Sequence, residues 1–344
     1  MRGIKKLSVN IISIMLLFSF LTGCAHREIV ITTGFYPGEL MRINDKNCQK
    51  SEFMLYLTTI QNQYEAVYGE ALWSQAENGV SLEEKVKDMV LAKIAQVKVM
   101  NLMAESYGLS LDGTESEKVK EASVTFFESL NDTEKELIGV TLEDIVSIYS
   151  EYALANKVYE YVIRDVNPEI SDDEARSVTV QKILVKTGEV NENGEVMEYS
   201  LRSREEAKVR AEAALREVNL EEESFESISA KYNEDDSTSM TFKRGEMEPE
   251  IEEAAFSLDK DEVSGLVETS RGFYIFKCIS DFDVYSTQQN KVDILKTRKQ
   301  EVFSETYDAF LKELSKTLNE KLYSEIIMIH NPEVITSSFF DVEF

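Results

Sequence analysis

Apolar residues in the first half of the chain recur at helical spacing. Val86, Val90 and Ile94 follow one another at four-residue steps, as residues on one face of a helix do. Ser81 stands at the N-cap of this pattern with a glutamate three residues later, and Gly108 follows its last residue. We predict a strand and a turn at 42–45, then helices over 52–107 with a break near Gly79, 118–130 and 141–164, with Ser51 as the first N-cap.

The spacing of apolar residues changes after Pro168. Residues 178–186 and 273–279 are rich in β-branched and aromatic side chains and predict strands. This pattern indicates an α+β unit of about a hundred residues. Between its strands we predict a hairpin-like insert at 188–198 and short helices at 203–215, 222–232 and 252–258.

The C-terminal region carries a long apolar stripe that predicts one helix from Asn290 to Ile329, ended by Pro332. A stripe of this length is more than a small α+β core can cover, and left uncovered it would promote aggregation. We therefore expect the helix to pack against the N-terminal helices. Its apolar positions are Val292, Leu295, Val302, Phe303, Phe310, Leu314, Leu318 and Leu322.

The charge of the chain limits the partners it can bind. Among 344 residues, 37 are lysine or arginine and 64 are aspartate or glutamate, so the net charge is −27. Such a surface repels phosphate backbones and anionic lipid headgroups. Nucleic-acid binding is therefore excluded as a main function, while a hydrophobic content of 43% is enough for folded cores.

The first residues have the layout of an export signal. A short basic stretch precedes a mostly apolar segment from Val9 to Leu21, which is too short and too polar to span a membrane easily. Small residues and Cys24 follow at once, as in the lipobox of bacterial lipoproteins. We predict cleavage before Cys24 and lipidation of its thiol; the alternative is an uncleaved anchor helix. Either case places the body of the protein outside the cytoplasmic membrane.

The chain has few residues that could bind a metal ion or act as a histidine base. Its two histidines, His26 and His330, lie at opposite ends, and no Cys-x-x-Cys spacing occurs. Cys48 and Cys278 are expected to be buried thiols, although a bridge between them stays open. We therefore predict neither a metal site nor a cofactor.

Five motifs of the α+β unit occur in a specific order. They read VQKILV over 180–185, SFESISAKY over 224–232, GEMEPEIEEAAFSL over 245–258, DEVSGLVET over 261–269 and GFYIFK over 272–277. In this order they resemble the motifs of the parvulin (PpiC-type) peptidyl-prolyl cis-trans isomerase domain. The resemblance covers about residues 172–283.

The flanking residues resemble the same group of proteins. RIND at 42–45 with KSEF at 50–53 is similar to the start of foldase chaperones of the PrsA and SurA type. The resemblance implies an α+β fold class, with an all-helical chaperone domain that carries an inserted parvulin-like domain. We predict a signal peptide at 1–23, a lipid-anchored tether at 24–40, a helical chaperone domain at 41–168, the parvulin-like domain at 172–283, and a C-terminal long helix with a tail at 284–344.

The resemblance also implies where the catalytic network would lie. Lys182 and Tyr274 stand where the family has two histidines, and Asp235 or Asp236 falls near its Cys or Asp position. A salt bridge between Lys182 and Asp235 would rebuild part of this network. The apolar proline pocket would use Met247, Ile251 and Phe256, which plain core packing would explain equally well. Without the histidines, we expect isomerase activity that is weak at best.

Two functions remain open. The first is a membrane-anchored foldase outside the cytoplasm, with a weak prolyl isomerase acting on unfolded or nascent secreted polypeptides that contain X-Pro bonds. The second is a non-catalytic holdase whose parvulin fold binds peptides or acts as a spacer. A solute-binding lipoprotein would need a long β/α alternation that the sequence lacks. The sequence leaves open whether the chain forms a homodimer and which clients it binds.

Overall fold

A computed structural model describes residues 34–191 and 195–342. The predicted signal peptide and Cys24 lie outside these residues. The chain divides into two compact units: the first combines residues up to Val166 with those from Gln300 onward, and the second spans Asn167–Lys299. No helix in the described ranges is long and apolar enough to cross a membrane.

Long helices form most of the first unit before residue 166, as the apolar spacing predicted. They are α1 (Lys50–Tyr68), α2 (Leu82–Tyr107), α3 (Gly113–Ser129), α4 (Asp132–Ile138) and α5 (Leu142–Ile163). A capping box starts each of α2 to α5, with Ser81, Asp112, Asn131 and Thr141 as the N-caps. Ser51 is not an N-cap as predicted, because α1 begins at Lys50, two residues earlier than expected, with Gln49 as its N-cap.

A small antiparallel sheet makes the first unit mainly rather than wholly helical. Strands β1 (Glu39–Ile43) and β2 (Lys46–Gln49) meet at a turn in which Asn44 takes a left-handed conformation, with φ of 50°. This is the strand and turn expected at 42–45. A short hairpin, β3 (Ala76–Glu77) with β4 (Val80–Ser81), interrupts the helices between α1 and α2.

The second unit consists of an antiparallel sheet with helices on both faces. Its strands are β5 (Ser177–Lys186), β8 (Ser239–Lys243), β9 (Val267–Glu268) and β10 (Gly272–Ser280), in the spatial order β8-β5-β10-β9. Its helices are α6 (Asp172–Ala175), α7 (Leu201–Leu220), α8 (Phe225–Tyr232) and α9 (Pro249–Phe256), and the hairpin β6 (Gly188–Val190) with β7 (Val196–Glu198) is the predicted insert.

Alternation along β5 separates two cores. Ile183 and Val185 face α7 and α8, whereas Val180 and Leu184 face the side that carries α9. Cys278 is buried on this second side, and Cys48 is buried in the first unit; both are free thiols. The sheet therefore presents Lys182, which lies between Val180 and Leu184 on the strand, to the face that carries α9.

The single long helix predicted for 290–329 is wrong. Helix α10 (Val284–Leu311) ends at Leu311, and β11 (Lys316–Leu318) and α11 (Glu320–Ser324) follow. Leu318 pairs with Met41 because β11 adds to the free edge of β1. Val292, expected on the apolar stripe, is 62% exposed.

Candidate functional site

Lys182 lies in the middle of the central strand β5, with only 6% of its surface exposed. In the antiparallel register it stands opposite Phe276, and Leu184 stands opposite Tyr274. Residues opposite each other across an antiparallel pair share one face of the sheet. Lys182, Tyr274 and Phe276 therefore share the face that packs against α9.

The ammonium of Lys182 has one carboxylate partner in the described structure. Its Nζ lies 2.5 Å from Oδ2 of Asp235. The hydrogen bond from Lys182 lowers the pKa of the Asp235 carboxyl, although partial burial opposes this shift. Asp236 instead is exposed. Lys182 and Asp235 thus form the ion pair that the sequence suggested, and Asp236 is not part of it.

Hydrogen bonds hold the segment that carries Asp235 against strand β5. Leu184 donates its backbone N–H to Oδ1 of Asn233 at 2.9 Å, and its carbonyl accepts from the N–H of Glu234 at 2.8 Å. Asn233 also donates to the carbonyl of Asp235. Sequence reasoning missed Asn233; an asparagine directly after a helix, where its side chain can replace a strand partner, was the available signal.

Tyr274 is packed inside the apolar face and does not join the ion pair. Its ring stacks on Phe276 with 5.3 Å between centroids and 16° between planes. Only 2% of the residue is exposed, and burial raises the pKa of its hydroxyl. At neutral pH the side chain is therefore an uncharged phenol.

The three predicted pocket residues differ in accessibility. Ile251 and Phe256 are buried, with 4% and 6% of their surfaces exposed. The ring of Phe256 packs edge-on against Phe242, and the guanidinium of Arg244 lies 4.2 Å from its centroid. Met247 is only partly buried at the margin of the same core. Met247 is thus the member of the set that a proline ring can reach.

Met240 and Phe242 of β8 complete this apolar surface and were not predicted. They stand opposite Val180 and Val178 in the register, on the face shared with Lys182. The alternation of apolar residues in SMTFK, over 239–243, was the signal that would have found them. Among the residues described, no group of three or more His, Cys, Asp or Glu side chains is placed to hold a metal ion.

Comparison with known families decides what this sheet belongs to. Residues 183–280 match the family model described as "Rotamase: PPIC-type PPIASE domain". The chain carries a parvulin domain. The strands β5 and β10, the helices between them and the Asp235 segment all lie within or next to the matched residues. The family expected from the five motifs is confirmed for this part of the chain.

Similarity to known proteins extends beyond the parvulin domain. The chain is 26% identical over 285 residues to the foldase protein PrsA of Caldanaerobacter subterraneus subsp. tengcongensis, covering 78% of this chain and 83% of that protein. It is 24% identical over 265 residues to the foldase protein PrsA of Halalkalibacterium halodurans, covering 72% and 70% respectively. The helical unit therefore shares the similarity to PrsA foldases.

A solved structure is similar over much the same length. The peptidylprolyl isomerase PrsA of Bacillus cereus is 17% identical, and the match covers 78% of this chain and 96% of that one with a TM-score of 0.35. Roles in catalysis for Lys182, Asp235 and Tyr274, and in substrate binding for Met247, Ile251 and Phe256, stay predictions.

Proposed function

We propose that this protein is a lipid-anchored foldase that acts on secreted polypeptides outside the cytoplasmic membrane, with a parvulin domain of low isomerase activity. The observation that carries the proposal is the combination of a PPIC-type match at 183–280 with similarity to PrsA foldases over 72–78% of the chain, well beyond those residues. Lipidation at Cys24 would hold the protein at the membrane.

We attribute the low isomerase activity to the ion pair that Lys182 forms with Asp235. Rotation about an X-Pro bond must overcome a resonance barrier of ~18–20 kcal/mol, and an enzyme lowers it by binding the twisted amide more tightly than the planar one. Lys182 directs its ammonium to Asp235 at 2.5 Å. Each charge of this pair neutralises the other, so neither is free to stabilise the twisted amide strongly.

An apolar contact remains available to a substrate. Met247 offers a partly accessible apolar surface for a proline ring. This surface can bind an X-Pro segment without efficient catalysis. This arrangement also favours the second candidate, a holdase whose parvulin domain binds peptides but does not turn them over.

Two measurements on the same preparation test the proposal. NMR exchange spectroscopy would follow cis-trans interconversion in an X-Pro peptide, and light scattering would follow aggregation of a reduced, unfolded client. We expect the protein to suppress aggregation and to accelerate exchange only weakly. Suppression with no acceleration at all would favour the holdase, and failure in both assays would contradict the proposal.

Two methionine substitutions, one at the site and one far from it, test whether the activity arises at the site. Met247→Ala should reduce any acceleration, because it removes the accessible apolar contact. Met197→Ala should leave it unchanged, since Met197 is 64% exposed on strand β7. Equal effects of the two substitutions would show that the surface next to α9 is not where the X-Pro segment binds.

A further inference from the structure

The C-terminal residues of the first unit are held in an unusual manner. Residues 326–342, here called the tail, contain neither helix nor strand, yet Phe339 and Phe340 are buried, with 1% and 5% of their surfaces exposed. Buried backbone groups normally find partners within helices and sheets. In the tail, side chains of other elements bind many of these groups instead.

Three consecutive residues near the middle of α1 bind carbonyl groups of the tail. Their side-chain amides donate to the carbonyl oxygens of Ile329, Thr336 and Ser337 at distances of 2.7 to 2.9 Å. The donors are Gln61, Asn62 and Gln63, respectively. Asn62 also donates to the carbonyl of Val334 at 3.2 Å.

Helices α4 and α5 bind the tail in the same way. The carboxylate of Glu134 accepts the backbone N–H groups of Ile335 and Thr336 at 2.9 and 2.7 Å. The side-chain amide of Asn131, the N-cap of α4, donates to the carbonyl of Glu333, and the hydroxyl of Tyr149 on α5 donates to that of Phe339. These bonds go to main-chain atoms, which every polypeptide segment offers. They therefore do not depend on the sequence that is bound.

Aromatic residues supply the remaining contacts. The ring of Phe339 stacks on Tyr149 at 4.8 Å between centroids and lies 5.3 Å from that of Phe126. Tyr56 contacts both Phe339 and Phe340. Main-chain hydrogen bonds combined with a few side-chain pockets are how proteins bind extended peptides of varied sequence.

The fit is imperfect where the tail meets α1. Gln61 donates to the tail through its amide nitrogen, but its Oε1 is buried without a hydrogen-bond partner among the described residues. A buried polar atom that lacks a partner costs free energy. Departure of the tail would let water reach this atom, so release of the tail costs less than the buried aromatic area alone suggests.

We propose that the surface formed by Gln61, Asn62, Gln63, Asn131, Glu134 and Tyr149 is a polypeptide-binding groove that the tail occupies in cis. The ligand it takes is an extended segment with adjacent aromatic residues. An unfolded client of this kind competes with the tail for the groove. This inference rests on the proposed foldase function only for the identity of the competing ligand.

A labelled peptide tests the groove directly in the full-length chain. The peptide NPEVITSSFFDV, residues 331–342, would carry a fluorophore, and anisotropy would report its binding. Phe339→Ala/Phe340→Ala loosens the tail and raises the fraction of open groove, and apparent affinity scales with that fraction. We expect this variant to bind the peptide at least tenfold more tightly than the wild type. A peptide with both phenylalanines replaced by alanine should not bind.

A matched tail variant serves as the control. Ile335 is 72% exposed, so Ile335→Ala should leave the tail docked and peptide binding as weak as in the wild type. Equal peptide affinity in the wild type and the folded double variant would overturn the proposal. So would binding of the alanine peptide as tight as that of the native one.

A measurement on the unmodified protein keeps the proposal testable if the double variant does not fold. Release of the tail is a local opening, so the amides of Ile335 and Thr336 should exchange hydrogen at least tenfold faster than the amide of Leu57 in the buried part of α1. Equal protection would show that the tail opens only with global unfolding and would overturn the proposal. Neither experiment depends on isomerase activity, so the two proposals fail separately.

Discussion

Lys182 Nζ and Asp235 Oδ2 lie 2.5 Å apart, although 53 residues separate them in the sequence. Lys182 is almost fully buried, while the side chain of Asp235 is 20% exposed. The two charges therefore differ in how well water can replace a lost partner. This asymmetry determines what substitutions at the pair should do.

Removal of Asp235 should cost more than removal of Lys182. Asp235→Ala leaves a buried ammonium unpaired, which should lower the free energy of unfolding of the parvulin domain by about 3 kcal/mol. Lys182→Met leaves a carboxylate that water can reach, so its cost should be about 1 kcal/mol. Hydrogen exchange of the β5 amides would measure both effects.

A double-mutant cycle and a neighbouring residue serve as controls. Lys182→Met/Asp235→Ala should cost less than Asp235→Ala alone, because no unpaired charge remains. Asp236→Ala, at the exposed adjacent position, should stay within about 0.5 kcal/mol of the wild type. Additive effects of the two single substitutions would contradict the assigned ion pair.

Isomerase activity should depend on the apolar surface more than on the ion pair. We expect Met247→Ala and Ile251→Ala to reduce the exchange rate of an X-Pro peptide more than Lys182→Ala does. Suppression of aggregation should survive all three changes, because we expect the helical unit to bind the client. Fast turnover that Lys182→Ala or Asp235→Ala abolishes would instead show that the ion pair forms an active catalytic network.

The buried acid Glu52 should make the first unit less stable as the pH rises. Lys98 Nζ lies 2.9 Å from Glu52 and 2.5 Å from Glu151, and burial raises the pKa of Glu52 to about 7. Glu151 already neutralises the ammonium, so a second buried negative charge is unfavourable. Because the folded pKa exceeds the unfolded value of about 4.3, the contribution of Glu52 to stability is full below that value and is lost as the pH rises through about 7.

Denaturant unfolding followed by Trp73 fluorescence would measure this effect, since the only tryptophan lies in the first unit. Between pH 5 and pH 8 the free energy of unfolding should fall by roughly 1–3 kcal/mol more in the wild type than in Glu52→Gln. Glu117→Gln, at an exposed position on α3, should retain the wild-type dependence. The same pH dependence in Glu52→Gln would contradict the assignment.

Phe303 should anchor the C-terminal part of α10 to the helical core. Its ring packs against Tyr159 of α5 with 5.2 Å between centroids, and 6% of the residue is exposed. Phe303→Ala should lower the free energy of unfolding of the first unit by about 3 kcal/mol. Val292→Ala, on the exposed part of the same helix, should change it by less than about 0.5 kcal/mol. Similar losses in both variants would contradict this packing.

Lipidation should depend on Cys24. In Cys24→Ser cells, metabolic labelling with a lipid precursor should no longer mark the protein, and the chain should remain uncleaved or be released. An acylated cysteine that carries a diacylglycerol supplies two chains, enough for stable anchoring. Labelling that persists in the serine variant would show that another residue accepts the lipid.

Local signals in the sequence determined most of the helices and the strands of the parvulin domain. Ser81 starts a helix where its capping box predicted, and Thr141 caps the helix that was expected to begin there, because a capping box is satisfied within four residues. The five motifs located the parvulin domain because each of them is also a short segment that can be recognised from neighbouring residues alone. The sequence also offered Asp235 and Asp236 as equal candidates for a network residue.

The tertiary structure decided every question that depended on distant residues. Helical spacing at Leu314, Leu318 and Leu322 extends the α10 pattern, yet β11 forms there because the edge of β1 offers Leu318 a strand partner 277 residues away. The bonds of Asn233 to β5 place Asp235, and not its neighbour, beside Lys182. The spacing of apolar residues predicts that a side chain is buried. It does not predict which residues cover that side chain, because those residues lie far away in the sequence.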